Sequence, residues 1–303
     1  MKETSRYSIF LKAVELRSFT RAAEELGYSQ SAVSQIIKSL EDDMGEKLIK
    51  RSRGVFELTS EGREYLPYFE AIRNAEEALI NKQREIRGME NATVRVVAFT
   101  SVSRELLPKL MKEFKTSHPG VDFVLKQGEY SSIRRAVESG EVDFGFISSD
   151  LSEGMESSFL YGDELAAVLP MGHHLADKET IYLSDMTDEP FILFDEGSDY
   201  NTVLDAFHAK GLEPQIEYEI YDDYSILGMV RSGFGISIQI KRVVEGFEDG
   251  LVIRRIEDAP RRGVSLIWKD RETMSFASRA FADFIIENIG RMAEDRPAAD
   301  ISC

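Results

Sequence analysis

Residues 19–38 read FTRAAEELGYSQSAVSQIIK, and the small, apolar and turn residues in this stretch stand where two helices crossing at a steep angle need them. Ala23 suits the crossing, where only a methyl group fits, and Gly27 suits a left-handed helix end that any Cβ would penalise. Ser29 is placed to cap the second helix. Ala22, Leu26, Val33, Ile36 and Ile37 recur at three- and four-residue spacings and can close a small core. That leaves Gln30, Ser31, Ser34, Gln35 and Lys38 on the outward face, with side chains suited to base edges and phosphates. The pattern is that of a helix-turn-helix.

Outward from this motif, residues 47–53 carry Lys47, Lys50, Arg51 and Arg53 with no acid among them. Arg53-Gly54 turns the chain between the runs Leu48-Ile49 and Val55-Phe56-Glu57-Leu58, which predicts a basic-tipped hairpin, or wing. Upstream, Ile9, Phe10, Ala13 and Val14 give a one-faced helix to cover the pair. Downstream, residues 61–88 favour a helix in which Tyr65, Ile72, Leu79 and Ile86 repeat every seven residues, with Leu66 and Phe69 beside them. This is either a coiled-coil seam that presents two reading heads or a helix packed on its own domain, since Glu76 and Gln83 dilute the second seam position. Gly88 and Glu90-Asn91 mark a boundary.

Beyond the boundary the periodicity changes. Residues 94–99, 121–125 and 142–147 read as strands alternating with helices at 106–115 and 131–139. A second such unit has strands near 166–169, 191–194, 216–220 and 235–238 and helices near 202–210 and 223–231; strand 266–268 and helix 276–289 then return to the first. The alternation predicts parallel sheets with helices on their faces, arranged as two α/β lobes around a cleft. Thr100-Ser101-Val102-Ser103 follows a strand and opens a helix, so it either holds an anion or simply caps. Glu129-Tyr130-Ser131 lies at the same edge, and Ser198, within Glu196-Gly197-Ser198-Asp199-Tyr200, is expected to face Ser101 across the cleft; both stretches also read as plain turns. His173-His174 lacks a matching carboxylate or third histidine at ligand spacing and reads as a loop pair.

Composition narrows the class. The single cysteine, Cys303, excludes an intramolecular disulfide or a dithiol redox switch. No stretch approaches the run of apolar residues that a membrane span needs, and no signal peptide is apparent, so a cytoplasmic protein is expected. The net charge of −17 is unevenly placed. Of 37 Lys and Arg and 54 Asp and Glu, the first sixty residues hold 10 and 9, a balance of +1, leaving 27 and 45, or −18, for the rest. An acidic body with a basic wing suits local rather than loose contact with DNA. No phosphate loop, His-Glu-x-x-His or Gly-x-Ser-x-Gly stretch occurs to support an enzyme.

Residues 8–66 resemble the winged helix-turn-helix of the LysR-type transcriptional regulators. The resemblance is carried by Phe10 to Val14, Ser18 to Ala23, Leu26 to Ser34, Ile37 to Glu41, Gly45 to Leu48 and Leu58 to Gly62. Ser31 stands where proline is commonest, and Ile49 where phenylalanine is. The remainder, to about residue 290, is similar to the effector domain of that family, a relative of the periplasmic solute-binding proteins, through Leu106-Leu107-Pro108, Phe114, His118-Pro119, Gly140 to Phe146 and Val230 to Ser237. The implied fold class is α/β: an N-terminal all-α winged helix-turn-helix at residues 1–60, a linker and dimerisation helix at 61–90, and a two-lobed α/β effector domain of type 2 periplasmic-binding-protein architecture at 91–293. Lobe I would span about 91–164 and 265–293 and lobe II about 165–264, with 294–303 a disordered tail. The resemblance implies a sequence-specific regulator without catalytic residues, metal or cofactor, modulated by a small-molecule co-inducer or co-repressor. Its DNA contacts would be Thr20, Arg21, Ser29, Gln30, Ser31, Ser34, Gln35, Lys38, Arg51 and Arg53, and its effector contacts Thr100, Ser101, Glu129, Tyr130, Ser131 and Ser198. The implied partners are a double-stranded operator with an interrupted inverted repeat, RNA polymerase, and further copies of the chain as a homodimer pairing to a homotetramer.

Overall fold

A computed structural model describes residues 4–52, 55–86, 92–104, 106–196 and 200–294. Its packing divides the chain into two units, Met1–Glu90 with Glu138–Glu141, and Asn91–Val137 with Val142–Cys303.

The first unit opens with α1 (Arg6–Leu16), α2 (Phe19–Leu26) and α3 (Gln30–Met44). Each start has a serine cap: the hydroxyls of Ser5, Ser18 and Ser29 accept the amides of Ser8, Arg21 and Ala32. Gly27 ends α2 at φ 73°, the left-handed conformation expected of it. Strands β1 (Ile49–Ser52) and β2 (Val55–Leu58) pair antiparallel as the wing, and α4 (Ser60–Ile86) follows. Phe10, Ala22, Ala23, Val33, Ile37, Leu40, Leu48 and Phe69 close the core. Buried Glu41, on α3, accepts the amides of Leu48 at 3.0 Å and Ile49 at 3.2 Å and so roots the wing on the helix. Opposite, a Cβ on Gly62 would lie 2.2 Å from the Leu48 carbonyl oxygen, so only glycine lets α4 begin this close to the wing.

In the second unit, β3 (Ala92–Ala98), α5 (Thr100–Ser103), α6 (Leu106–Ser117), β4 (Val121–Gln127), α7 (Tyr130–Glu138), β5 (Phe144–Ser148) and β6 (Glu156–Asp163) build most of lobe I. Lobe II comprises β7 (Leu165–Pro170), β8 (Thr180–Ile181), β9 (Pro190–Phe194), α8 (Thr202–His208), β10 (Gln215–Ile220), α9 (Asp223–Arg231), β11 (Ser237–Ile240), α10 (Lys241–Val244) and β12 (Leu251–Ile256). The chain then returns through β13 (Arg262–Trp268) and α11 (Phe276–Glu294). Phe144, Phe146 and Phe281 fill the core of lobe I, and Phe191 and Phe207 that of lobe II, each fully buried. Burying such a ring contributes about 1.5–3 kcal/mol.

The sheets are mixed, which corrects the expectation of purely parallel ones. In lobe I the order is β4-β3-β5-β13-β6, and β13 runs antiparallel to both neighbours because it enters from the other lobe. In lobe II, β7 pairs antiparallel with β11 and β12, while β9 and β10 are parallel. The expected tail includes Glu294, which is instead the last residue of α11; residues 295–303, the rest of that stretch, lie outside those described.

Candidate functional sites: the helix-turn-helix face and the interlobe cleft

On α3, Val33, Ile37 and Leu40 are buried, while Gln30, Ser31, Gln35 and Lys38 are exposed and Ser34 is half-buried. Thr20 and Arg21 at the start of α2, and the cap Ser29, are exposed beside them. The sequence periodicity separated core from outward face here because a helix this short presents only one face to its neighbours. Arg53 and the side chain of Arg51 lie outside the described residues, and so does the side chain of Ile86. Along α4, Tyr65 is half-buried and stacks on Phe69 at 5.9 Å, inside the core of the head. Ile72 and Leu79 are 37% and 60% exposed, and Tyr68 is 69% exposed. The heptad therefore divides: its first position serves the head, while its middle positions face outward.

In the second unit, the ends of β3 and β4 bring Ser101 and Tyr130 to one centre, and that centre is Arg262. Its guanidinium donates to the Ser101 hydroxyl at 2.6 Å, to the Tyr130 hydroxyl at 3.1 Å and to Asp163 at 2.5 Å, and lies 4.5 Å from the Phe99 ring centroid. All of these residues are buried. Arg262 and Asp163 are register partners at the adjoining ends of β13 and β6, so the backbone ladder sets their side chains together. Arg242 approaches the other oxygen of Asp163 at 3.4 Å. Thr100, at the first turn of α5, accepts from Gln127 at 2.8 Å, and its hydroxyl draws the Asp223 carboxyl down against the effect of burial. Glu129 and Ser131 are exposed, and Ser198 lies outside the described residues, so its expected approach to Ser101 is not described.

Three residues that sequence reasoning missed stand here, Asp163, Arg262 and Asp223, together with Glu196, the first residue of the stretch that the sequence had singled out. Glu196, beyond β9, accepts the amide of Thr202 at 3.0 Å, and Asp223 opens α9. Burial pushes the carboxyl of Glu196 up, against the pull of the Thr202 amide and of Arg262. Burial likewise raises Asp223 to about 6, with Arg262 pulling the other way. Tyr130 is held at about 12, again chiefly by burial. The signal missed was one of register: a lone arginine opening one strand opposite an acid closing another leaves no mark in periodicity.

Elsewhere in lobe II the chain brings Glu189 to 3.2 Å from the Nε2 atoms of both His173 and His174, supplying the carboxylate that the sequence spacing did not. His173 Nδ1 accepts the Leu175 amide at 3.3 Å, which leaves the proton of the neutral ring on Nε2, directed at Glu189. In that tautomer His173 caps the turn that follows through Nδ1 and meets Glu189 through Nε2.

The carboxyl of Asp223 gives a pH dependence. Its folded value, about 6 against an ordinary 3.8, means that the folded protein binds this proton more tightly than the unfolded chain. Stability attached to the protonated form is lost as pH rises through 6, leaving an ionised, buried carboxylate at neutral pH. Asp223→Asn should therefore raise the unfolding midpoint at pH 7, by the order of 1–3 kcal/mol, and flatten the decline in stability between about pH 4 and 7. Thermal unfolding across that range checks it; an unchanged or lowered midpoint at pH 7 would contradict it.

Comparison with known proteins covers both units. Residues 5–63 match the bacterial regulatory helix-turn-helix protein family of lysR type, and residues 87–290 match the LysR substrate binding domain. The uncharacterized HTH-type transcriptional regulator YvbU of Bacillus subtilis (strain 168) is 28% identical over 94% of this chain and 98% of its own length. The transcriptional dual regulator GltC of the same organism is 25% identical over 96% and 99%. Among solved structures, CbnR, a LysR family transcriptional regulator, superposes with a TM-score of 0.71 at 21% identity, covering 92% of this chain and 96% of that one. Two family matches spanning nearly the whole chain, over a helix-turn-helix and a two-lobed α/β domain, give one conclusion: this chain belongs to the LysR family of DNA-binding transcriptional regulators with an effector-binding domain, and is not an enzyme.

Proposed function

We propose that α3 is the reading helix, with Gln30, Ser31, Ser34 and Gln35 at base edges and Thr20, Arg21, Ser29, Lys38, Arg51 and Arg53 at phosphates. The observation that carries this reading is the sidedness of α3, whose exposed row of amides, hydroxyls and one lysine lies opposite the buried Val33, Ile37 and Leu40. The wing continues the basic surface through exposed Lys47 and Lys50. Residues 1–60 form the DNA head and 61–90 the linker, whose exposed Ile72 and Leu79 pair two copies so that two heads meet an interrupted inverted repeat. Paired dimers, as a tetramer, then act with RNA polymerase in the cytoplasm. Among the described residues no helix is long and apolar enough to cross a membrane.

Residues 91–293 take a small co-inducer or co-repressor between the lobes. Because Ser101 and Tyr130 are bonded to Arg262, they act on such a ligand by anchoring that guanidinium, and Thr100, Glu129, Ser131 and Ser198 are the further contacts proposed for it. Two contacts between the lobes are placed to respond to it. Arg104 donates to the carbonyls of Val243 at 2.7 Å and Glu245 at 3.1 Å, and the Tyr200 hydroxyl donates to Asp150 at 2.6 Å. A ligand that favours one lobe angle shifts the regulator only by its differential affinity for that angle.

The DNA reading is tested by recovering, from random duplexes, the sequences that the full-length protein retains. Gln30→Ala should lower the ratio of specific to random binding by about 1–3 kcal/mol at one base step, while Lys38→Ala should weaken both alike and reduce the salt slope by about 1. Parent-like behaviour of both variants would contradict the assignment. For assembly, Leu79→Glu places a charge in an apolar seam and should shift sedimentation toward smaller species. An unchanged mass would move the interface off α4.

A further inference from the structure

We propose that Arg17, at the corner between α1 and α2, is a further DNA-phosphate contact of the head, and that its cation is the reason an arginine stands where the backbone favours glycine. The inference rests on the DNA-reading assignment above and adds a residue to it.

Helices α1, α2 and α3 end in the same way, on a left-handed residue whose amide closes back on the last turn: Arg17 at φ 48°, Gly27 at φ 73° and Gly45 at φ 75°. Glycine adopts that conformation freely, whereas a Cβ is penalised in it. Among the described residues Arg17 is the one non-glycine with a positive φ. Its cap is made by backbone alone, the amide reaching the carbonyls of Ala13 and Val14, so glycine would make the same cap with less strain. The side chain is exposed and has no hydrogen bond, ion pair or ring contact among the described residues. Strain kept without a folding contact is the mark of a residue selected for binding. Nor is the missing partner due to a lack of acids. Glu15, two residues earlier, is taken by Lys12 at 2.9 Å, and Lys12 holds Glu25 at 2.9 Å as well. Arg6 is bonded to Asp43. From α1 to α3 the unpaired cations among the described residues are therefore Arg17, Arg21 and Lys38, and the last two already stand on the proposed DNA face.

Position is a second, independent observation. Arg17 directly precedes Ser18, whose hydroxyl accepts the amide of Arg21 at 3.2 Å, so Arg17 shares one corner with the exposed Thr20 and Arg21. Phe19, in that corner, packs on Phe56 of β2 with ring centroids 5.3 Å apart. In the wing's register Phe56 stands opposite Arg51, the residue after exposed Lys50. The corner thus adjoins the wing, and Arg17 extends its positive edge. Each strand of duplex DNA carries a phosphate about every 3.4 Å, so a spread row of cations can each take one, and a guanidinium meets a phosphate with two donors. Set on the corner and off α3, Arg17 would position the head without reading sequence.

The test measures the full-length protein on a random duplex and on the operator recovered by selection, from about 50 to about 200 mM salt. Arg17→Gly should lower affinity for both duplexes alike, about five- to tenfold per head at about 0.1 M salt, and reduce the salt slope by about 1 per head, since one counterion fewer is released. Arg17→Lys keeps the charge and should keep the parent slope. Without DNA, Arg17→Gly should unfold at or above the parent midpoint, because the corner loses strain and no contact. A lowered midpoint would show that the side chain serves the fold and would overturn the proposal. So would a Gly variant that binds like the parent, a loss confined to the operator, or a Lys variant that loses as much as the Gly variant. Lys38→Ala, measured in parallel, separates this inference from the reading on which it rests. If Lys38→Ala weakens binding and Arg17→Gly does not, Arg17 alone leaves the DNA face; if neither does, the DNA-face assignment fails with it.

Discussion

The second unit depends on one buried ion pair. Arg262 and Asp163 sit opposite each other where β13 and β6 meet, at the two places where the chain passes between lobes: β6 ends at Asp163, with Glu164 alone between it and β7, and β13 starts at Arg262 after the chain leaves β12. Both side chains are almost wholly buried. Removing one partner from such a pair leaves an uncompensated charge in low dielectric, which costs far more than a surface ion pair is worth. The same guanidinium reaches Ser101 and Tyr130 at the starts of two helices of lobe I, so one cation fixes the hinge strands and the cleft floor together.

Around that fixed point, beside the Arg242 contact with Asp163, lie ties between the lobes of another kind. The Arg104 contacts with two carbonyls, its stacking over Phe247 at 4.4 Å, and the hydrogen bond from Tyr200 to Asp150 hold the edges of the cleft, closer to solvent. Hydrogen bonds of this type contribute modestly in net terms and can be exchanged for water when the lobes turn. A rigid, expensive pair at the hinge and cheap ties at the rim are the combination that lets two packed lobes change angle without losing their cores.

The head was largely legible in the sequence, and the cleft was not. Helix periodicity, Gly27 and the Ser29 cap are local signals, and they decide the short elements of the head. The wing was legible through its basic run, although Glu41, which roots it, gave no signal, because an acid on a helix surface and one beneath a hairpin look alike in one dimension. β6 escaped notice because its sequence ESSFLYGD mixes polar residues into an edge strand. The purely parallel expectation failed for a topological reason: β13 closes the first sheet from the far lobe and runs against its neighbours. Ser101 and Tyr130 were found as strand-end residues, but the group that joins them comes from 161 and 132 positions away, a separation that no local pattern records. The same holds for Glu189 meeting His173 and His174.

The central claim, that Arg262 and Asp163 act as one unit on which the cleft is built, is tested most directly by a double-mutant cycle. Urea unfolding of the parent, Arg262→Met, Asp163→Asn and the double variant measures the coupling without reference to any ligand. Each single change should cost about 3–5 kcal/mol, and the double variant should cost well under their sum, since the second substitution removes the charge that the first left stranded. Costs that simply add would show that the two residues stabilise the fold independently, and would contradict the account.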